Sequence, residues 1–478
     1  MVLFKPQFNF NLEARGVSIL KKTRFYNDAV HKAIGLPDLC NRIIDTPQFQ
    51  RLRCLMQLGM CYFVYPSACH KRFEHCIGTC YLAGKCAKIL RKNQPELGID
   101  DKDILCVYVG GLCHDLGHGP FSHTWEHFMK KHDKDYSHEF MSRLILDHMI
   151  EKNDLMPIFQ SHGLTRNDVT FIKEIILGHS LDGEGMEFKG RPAAKHFLYE
   201  IVSNSRTKID VDKFDYLLRD SKQLNLKTSF DYKRVFNESR VLRSPDHGGE
   251  LRIAYRQKIR QNLEELFHQR AAFHQKAYQH KDTKIIELMI LDGLNSANSE
   301  EKFVYGPDTG KWYNLSSAHK DISAFLKLTD AIFELICNWG KGGVQAETIF
   351  GNIVHRNLYK FLGFVNLTDN PQKELTDALA EHNVVLVSTH IDYGSGSENP
   401  LNSAIFYCKD NGRDSVRAVK AKNFPMPLLE KKGFLLLRHS IPEIDENNNN
   451  EVNETDITST VEEVEKICGN FKLELQQE

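Results

Sequence analysis

GLCHDLGHGPFSH, residues 111–123, decides how the rest of this 478-residue chain is read. Before it runs a stretch that is apolar all round, DILCVYVGGLC (103–113), with Asp101 and Asp103 at its head; Gly117, Gly119 and Pro120 follow. An apolar run of that length with acidic N-terminal positions and a Gly/Pro stop predicts a buried helix rather than a strand. His114 and Asp115 then sit at its last turn. Histidines recur at 114, 118, 123, 127, 132 and 138, six of the chain's 22 within 25 residues. Their spacing straddles the Gly-Pro break, so a single helix face does not account for them. Neutral imidazole beside carboxylate is the donor mixture for a divalent transition metal such as Mn, Fe, Zn or Ni, whereas Mg²⁺ prefers all-oxygen surroundings. Adjacent residues on a helix diverge by about 100°, so a metal here needs ligands from elsewhere. His75, in RFEH (72–75) ahead of a helix, and Asp212, in IDVDKFDY (209–216), are the candidates. Taken singly, a histidine before a helix is more often a cap or a surface group; the combination points to metal. Cys69, His70 and Cys76 mimic a soft zinc site, but lone buried thiols are common.

Composition limits the function classes. Lys plus Arg is 62 and Asp plus Glu 63, a net charge of −1 that argues against a protein coating DNA or acidic membrane. Twelve cysteines without a C-x-x-C pair, and a start without a basic region and apolar core, predict free thiols in the cytosol or nucleus, with no membrane span.

The expected fold is mainly α. Residues 1–26 read as an irregular lead-in, and 27–295 as a helical core with its metal motif over 72–217. Residues 296–440 read as an α+β regulatory or oligomerisation lobe with strands near NVVLVS (383–388) and SAIFYC (403–408). An acidic, Asn-rich linker and a short amphipathic helix bearing Val461, Val464 and Ile467 fill 441–478. Thr46-Pro47 predicts a helix start, with Phe49, Leu52, Leu55 and Met56 forming an apolar stripe that leaves off Arg51, Arg53 and Gln57. A long helix is expected from Asn262 to Leu291.

The order His75…His114-Asp115…Asp212 is the signature of HD-domain metal phosphohydrolases. The stretches IIDTPQFQRLR (43–53), HKRFEH (70–75), GLCHDLGHGPFSH (111–123), FLYEIVSN (197–204), IDVDKFDY (209–216), FDYKR (230–234) and AYQHK (277–281) closely resemble the catalytic core of the SAM-and-HD-domain deoxynucleoside triphosphate triphosphohydrolases. Weaker likeness continues through RNLYK (356–360) and FYCK (406–409). With only 26 residues ahead of the core, no SAM domain is expected.

The resemblance implies hydrolysis of dNTPs to deoxynucleoside and inorganic triphosphate. The metal (Zn, Fe or Mn, with Mg²⁺ accompanying the nucleotide) would be held by His75, His114, Asp115 and Asp212. His123 would be the general acid, supported by His138 and Glu139, and His118 a phosphate contact. Glu126 stands where the family has aspartate, which puts the strength of that contact in question. Gln57 and Asp220 would meet the sugar 3′-hydroxyl, Leu58 the base, and Arg72, Lys213, Tyr216 and Arg270 the phosphates. Tyr278, beside His274 and Gln279, would exclude a ribose 2′-hydroxyl, and all four dNTPs would be accepted.

The resemblance also implies activation through a homotetramer bridged by nucleotides. GTP or dGTP would be read by Asp45, Gln50 and Arg53, near Arg24 and Phe25, which replace lysine and valine. A dNTP would meet Asn27, Val64, Tyr65, Arg234, Arg256, Lys258, Asn262, His280, Lys281, Arg356, Lys360 and Lys409. Nuclear residence is common in the family. Two competing readings are another HD phosphohydrolase and a weak single-stranded nucleic-acid binder using the basic runs Arg252, Arg256, Lys258, Arg260 and Arg413, Arg417, Lys420, Lys422.

Overall fold

Three helices frame the catalytic end, and small residues let them approach closely. The computed structural model describes residues 18–244, 248–300, 302–367, 373–394, 396, 398–409, 416–420, 430–438 and 454–477. The expected buried helix is present as Asp101–Cys113, with His114 as its C-cap. Asp100 starts it, accepting from the Asp103 N–H at 2.8 Å, while the Asp103 carboxylate accepts from the Asp100 N–H at 3.1 Å. It packs along the helix Arg72–Asn93. At the contact, a Cβ added to Gly84 would lie 2.0 Å from the Tyr108 ring, and one on Gly111 would lie 3.0 Å from Ala83. This approach sets His75 and His114 side by side. His75 lies in the first turn of its helix rather than ahead of it. The third helix, Val211–Gln223, is N-capped by Asp210, whose carboxylate accepts from the Lys213 N–H at 3.0 Å.

Elsewhere several expected elements differ. The Thr46 hydroxyl caps a helix as expected, but only Pro47–Gln50 is α-helical before a tighter 3₁₀ turn over Arg51–Cys54. Arg51, expected off the apolar face, is buried: its guanidinium donates to the Leu328 carbonyl at 2.8 and 3.1 Å and to the Leu116 carbonyl at 3.3 Å. The helix expected over 262–291 is two, Arg260–Phe273 and Lys281–Ala297, separated by a π-helical turn at His274–Tyr278. The lead-in gives way to a strand before residue 26: Lys22–Asp28 pairs antiparallel with Lys32–Pro37. Its residues KTRFYND lack the apolar alternation that marks a strand in sequence, because nearly the whole strand is exposed, with only Asp28 buried.

The lobe is α+β, as expected, with strands at Val384–Ile391 and Ile405–Lys409. Lys360–Asn366, Glu430–Leu437 and Val384–Ile391 form one antiparallel sheet. The terminal helix, Glu454–Asn470, is longer than expected and buries Val464 and Cys468 with Leu375, Leu379 and Leu435 of that lobe. The stretch 439–453 of the acidic linker lies outside the described residues. Residue 295 is no packing boundary. Ile405–Lys409 adds in parallel to the core strand Leu251–Arg256, and one apolar cluster runs from the HD helices to Phe350 and Ile353. All twelve cysteines are free. Among the described residues no helix is long and apolar enough to cross a membrane.

At the junction, a Cβ on Gly293 would lie 2.2 Å from the ring of Phe350, which is wholly buried. Gly293→Ala is therefore expected to destabilise the protein by about 1–3 kcal/mol through overpacking, read as a lower midpoint in denaturant unfolding.

Candidate active site

The metal-ligand side chains meet where the three helices converge. His75 Nε2 lies 3.2 Å from His114 Nε2 and 3.0 Å from Asp212 Oδ1, and His114 Nε2 is 3.2 Å from the same oxygen. Asp115 closes the group, with Oδ2 3.6 Å from His75 Nε2 and Oδ1 3.4 Å from His114 Nε2. The far nitrogen of each ring is already committed: His114 Nδ1–H donates to the Gly111 carbonyl at 2.9 Å, and His75 Nδ1–H to Asp215 Oδ2 at 2.7 Å. These bonds place a proton on each Nδ1 and turn both Nε2 atoms inward, the arrangement that outer-sphere partners impose on metal-binding histidines. Two imidazoles and two carboxylates suit Zn, Fe or Mn. Electrostatics agree. Burial would lower the His75 pKa, yet bonds to Asp212 and Asp215 outweigh it and raise it to about 10. Burial opposes ionisation of Asp115 too, yet His114 and Arg72 hold it well below the usual carboxylate range. A cluster so inclined to take up positive charge is one that a divalent cation neutralises.

A cavity of about 580 Å³ opens beside this group, lined by Asp115, Asp212 and, among the expected site residues, Gln57, Leu58, Arg72, His118, His123, Glu126, His138, Glu139, Tyr216, Asp220, Arg270, His274, Tyr278 and Gln279. His118 stacks on His138 with ring centroids 3.9 Å apart, and burial with the nearby Arg72 keeps His118 neutral. His123 projects into the mouth, its side chain 68% exposed. The longer Glu126 spends its reach on His138, at 3.0 Å, and Lys130, at 2.8 Å, and stands 3.7 Å from His123. Glu139 lies 3.4 Å from His138. On the opposite wall, wholly buried Asp220 accepts from the Tyr278 hydroxyl at 2.6 Å and from His70 Nε2 at 2.7 Å. The side-chain oxygens of Gln57 and Gln279 and Nδ1 of His274 are buried there without partners among the described residues.

Two expected phosphate contacts are placed differently. Lys213 does not line the cavity; its Nζ turns 3.6 Å from Asp210, the cap of its own helix. Arg270 lines it but is engaged, donating to the Asp392 carboxylate at 2.9 Å and its carbonyl at 2.8 Å.

The expected activator residues fall into separate surface groups on one chain. Arg24 forks onto Asp45 with N–O distances of 2.6 and 2.7 Å, and Arg53 donates to Gln50 at 2.8 Å. Phe25 and Asn27 are exposed on the same hairpin. Tyr65 bonds the Lys276 carbonyl and faces His280, Lys281 lies over Phe361, and Arg356 donates to the Phe63 carbonyl at 3.2 Å. Val64 is half-buried, and Lys360 and Arg234 are exposed. Arg256 and Lys258 both pair with Glu238, at 3.2 and 2.5 Å. Asn262 faces inward instead, its amide bridging the backbone of Asp231 at 3.0 and 2.9 Å, which makes it a structural clamp. The side chains of Lys409, Arg417 and Lys420, and Arg413 and Lys422 altogether, lie outside the described residues. Arg252 is buried against Glu200 at 3.1 Å, so it offers nucleic acid nothing.

Sequence reasoning missed Asp215, His70, Ser122 and Asp330. Asp215 follows Asp212 by one helical turn, and His70 opens HKRFEH; those spacings were the available signals. Ser122, at φ 59°, donates to the Met56 carbonyl at 2.6 Å and accepts from Arg72 Nε at 3.2 Å. Asp330 comes from the far lobe and accepts from the Met56 and Phe121 N–H groups at 2.6 and 2.7 Å. Nothing near it in sequence signals that role. The double substitution His114→Ala/Asp212→Ala is expected to lower bound metal from about one per chain to near zero, measured by elemental analysis of folded protein.

The HD domain family matches residues 72–220, the span of the three framing helices. The mouse (Mus musculus) protein named deoxynucleoside triphosphate triphosphohydrolase SAMHD1 is 39% identical over 436 residues, covering 83% of this chain and 65% of its own length. The human protein of that name is 40% identical over 421 residues, covering 82% of this chain and 66% of its own. A Dictyostelium discoideum homolog is 34% identical over 417 residues, covering 84% of this chain and 74% of its own. This chain thus spans about two thirds of the mouse and human relatives. With the HD domain match over residues 72–220 and relatives 34–40% identical over more than four fifths of its length, the chain belongs to the HD-domain deoxynucleoside triphosphate triphosphohydrolase family.

Proposed function

We propose that this protein hydrolyses dNTPs to deoxynucleosides and inorganic triphosphate. The observation that carries the reading is one cavity lined both by Asp115 and Asp212, the two carboxylates of the metal-ligand cluster, and by Asp220 and Tyr278, which bond each other while His70 holds Asp220 from behind. The first suits a phosphate, the second a sugar hydroxyl. A divalent metal would be held by His75, His114, Asp115 and Asp212, and would supply Lewis-acid polarisation of the α-phosphate.

The chain's own residues do the rest. Arg72 binds phosphate beside Asp115, and Arg270 joins it once released from Asp392. His123, exposed at the mouth, donates the proton that the departing 5′ oxygen needs. His138, whose pKa is raised because the Glu126 bond outweighs burial, backs it from within. Asp220 is held rigid by two donors and accepts from the 3′-hydroxyl, together with Gln57. Tyr278 fills the space beside the sugar's second carbon, so a ribose hydroxyl is excluded by sterics. Leu58 and Gln279 face the base without a dense set of polar contacts, which favours acceptance of all four dNTPs.

Regulation is part of the proposal. GTP or dGTP is read at Asp45, whose carboxylate complements the N1–H and amino group of guanine; the Arg24 guanidinium presents the same pair of donors, so nucleotide entry exchanges one fork for another. A dNTP bridges the groups around Tyr65, His280, Lys281 and Arg356 and around Arg256 and Lys258, building a homotetramer in which binding and assembly are linked.

The test is to incubate purified protein with dATP and Mg²⁺ or Mn²⁺, with and without GTP, while following products and oligomer size. Deoxyadenosine and triphosphate are expected only with GTP; dGTP alone should suffice as activator and substrate, and Asp212→Ala should abolish turnover. Free phosphate or a nucleoside monophosphate as product would overturn the assignment, and GTP-independent turnover would overturn the guanine site alone. Tyr278→Ala should raise the ratio of ribonucleotide to deoxynucleotide kcat/KM by about 10-fold or more.

A further inference from the structure

The tip of the N-terminal hairpin reaches into the metal-ligand shell. His31 lies in the turn between the strands Lys22–Asp28 and Lys32–Pro37, far in sequence from every HD residue. Its Nε2 is 2.7 Å from Asp215 Oδ1, and Asp215 Oδ2 holds His75 Nδ1 at 2.7 Å. Arg219 supplies the other donors to this carboxylate, Nε at 2.9 Å and Nη2 at 3.0 Å, and its Nη1 reaches Asp28 Oδ2 at 2.9 Å. The other Asp28 oxygen accepts from the N–H groups of Val30 and His31, at 2.8 and 2.7 Å, which shapes the turn so that His31 points inward. The His31 side chain is 1% exposed, and its Nδ1 has no partner among the described residues. Among the described residues, the one polar contact of this side chain is Nε2 with Asp215.

We propose that His31 is a positioning residue for the metal centre, so that the hairpin is a working part of that site. Four donors surround the Asp215 carboxylate, and each oxygen has two. Without His31, Oδ1 keeps a lone pair unmet in a dry interior, a cost it relieves by shifting or admitting water. Either change rotates the acceptor to which His75 is pinned and turns His75 Nε2 away from His114 and Asp212.

The test reads metal alone, so its outcome is independent of whether dNTPs are the substrate. Metal-free protein is titrated with Zn²⁺, and the visible spectrum of the Co²⁺-loaded form reports ligand geometry. His31→Leu removes the donor at similar volume, while His31→Gln places an amide N–H near the position of Nε2. We expect His31→Leu to bind Zn²⁺ about 10-fold or more weakly and to shift the Co²⁺ bands, with His31→Gln restoring affinity to within about threefold of wild type. A purely structural role would lower the melting temperature without moving affinity or bands. A folded His31→Leu protein with wild-type Zn²⁺ affinity and Co²⁺ spectrum overturns the proposal. Should that variant not fold, His31→Asn, whose amide stops short of Asp215, takes its place with the same two outcomes. Wild-type protein that takes up neither ion overturns the metal centre and this proposal together.

Discussion

One buried carboxylate, Asp215, anchors the catalytic end. It joins the Val211–Gln223 helix to His75 on the Arg72–Asn93 helix, to Arg219 one turn along its own helix, and to the hairpin through His31. A Cβ on Gly78 would stand 1.9 Å from its Oδ1, so the space it occupies exists only because that helix carries glycine there. Buried charge of this kind is stable only when fully paired, and removing one partner of such a set typically costs about 3–5 kcal/mol. The arrangement aims His75 and also places Asp212, three residues earlier on the same helix. Helix packing and ligand geometry are therefore one constraint.

The loop after His114 and Asp115 is held from the opposite direction. Phe121 and Ser122 adopt positive φ, 60° and 59°, a conformation that costs non-glycine residues roughly 1–3 kcal/mol and persists where surroundings impose it. Here the surroundings are Asp330, which accepts the Phe121 N–H, and Arg51, which donates to the Leu116 carbonyl. Arg51 also binds the Leu328 carbonyl, two residues from Asp330. The catalytic loop is thus clamped by a segment some 200 residues downstream, which explains why the apolar core continues past residue 295.

Charge follows the same division. The net charge of −1 averages over sorted local pairs: Arg24 with Asp45, Arg256 and Lys258 with Glu238, Arg270 with Asp392. These four basic groups, all expected at nucleotide sites, are each met by a carboxylate from the same chain, whereas Arg53 turns to Gln50 and Arg356 to the Phe63 carbonyl. The exposed Arg24–Asp45 pair is worth little in water.

Much of this was legible in the sequence. The all-apolar run before His114, its acidic cap and its Gly-Pro stop determined a buried helix ending at the metal pair, because those signals act within a few residues of one another. The histidine cluster and the spacing of His75 and Asp212 determined the chemistry, since few other functions require those donors together. The sequence also located two strands of the lobe, Val384–Ile391 and Ile405–Lys409, but not their neighbours Lys360–Asn366 and Glu430–Leu437. The hairpin over Lys22–Pro37 escaped because its exposed face carries no apolar alternation, and the break at His274–Tyr278 because a π-turn leaves helical periodicity nearly intact. Tertiary structure alone decided the outer shell: His31, Asp215, Arg51 and Asp330 reach partners 65 to 277 residues away. Lys213 and Asn262 likewise turn to nearby partners, Asp210 and the Asp231 backbone, a choice set by which acceptor lies closer once the helices are packed. Local propensity is written along the chain. Which buried polar groups must satisfy one another is decided only when packing excludes water and leaves each donor a single acceptor within reach.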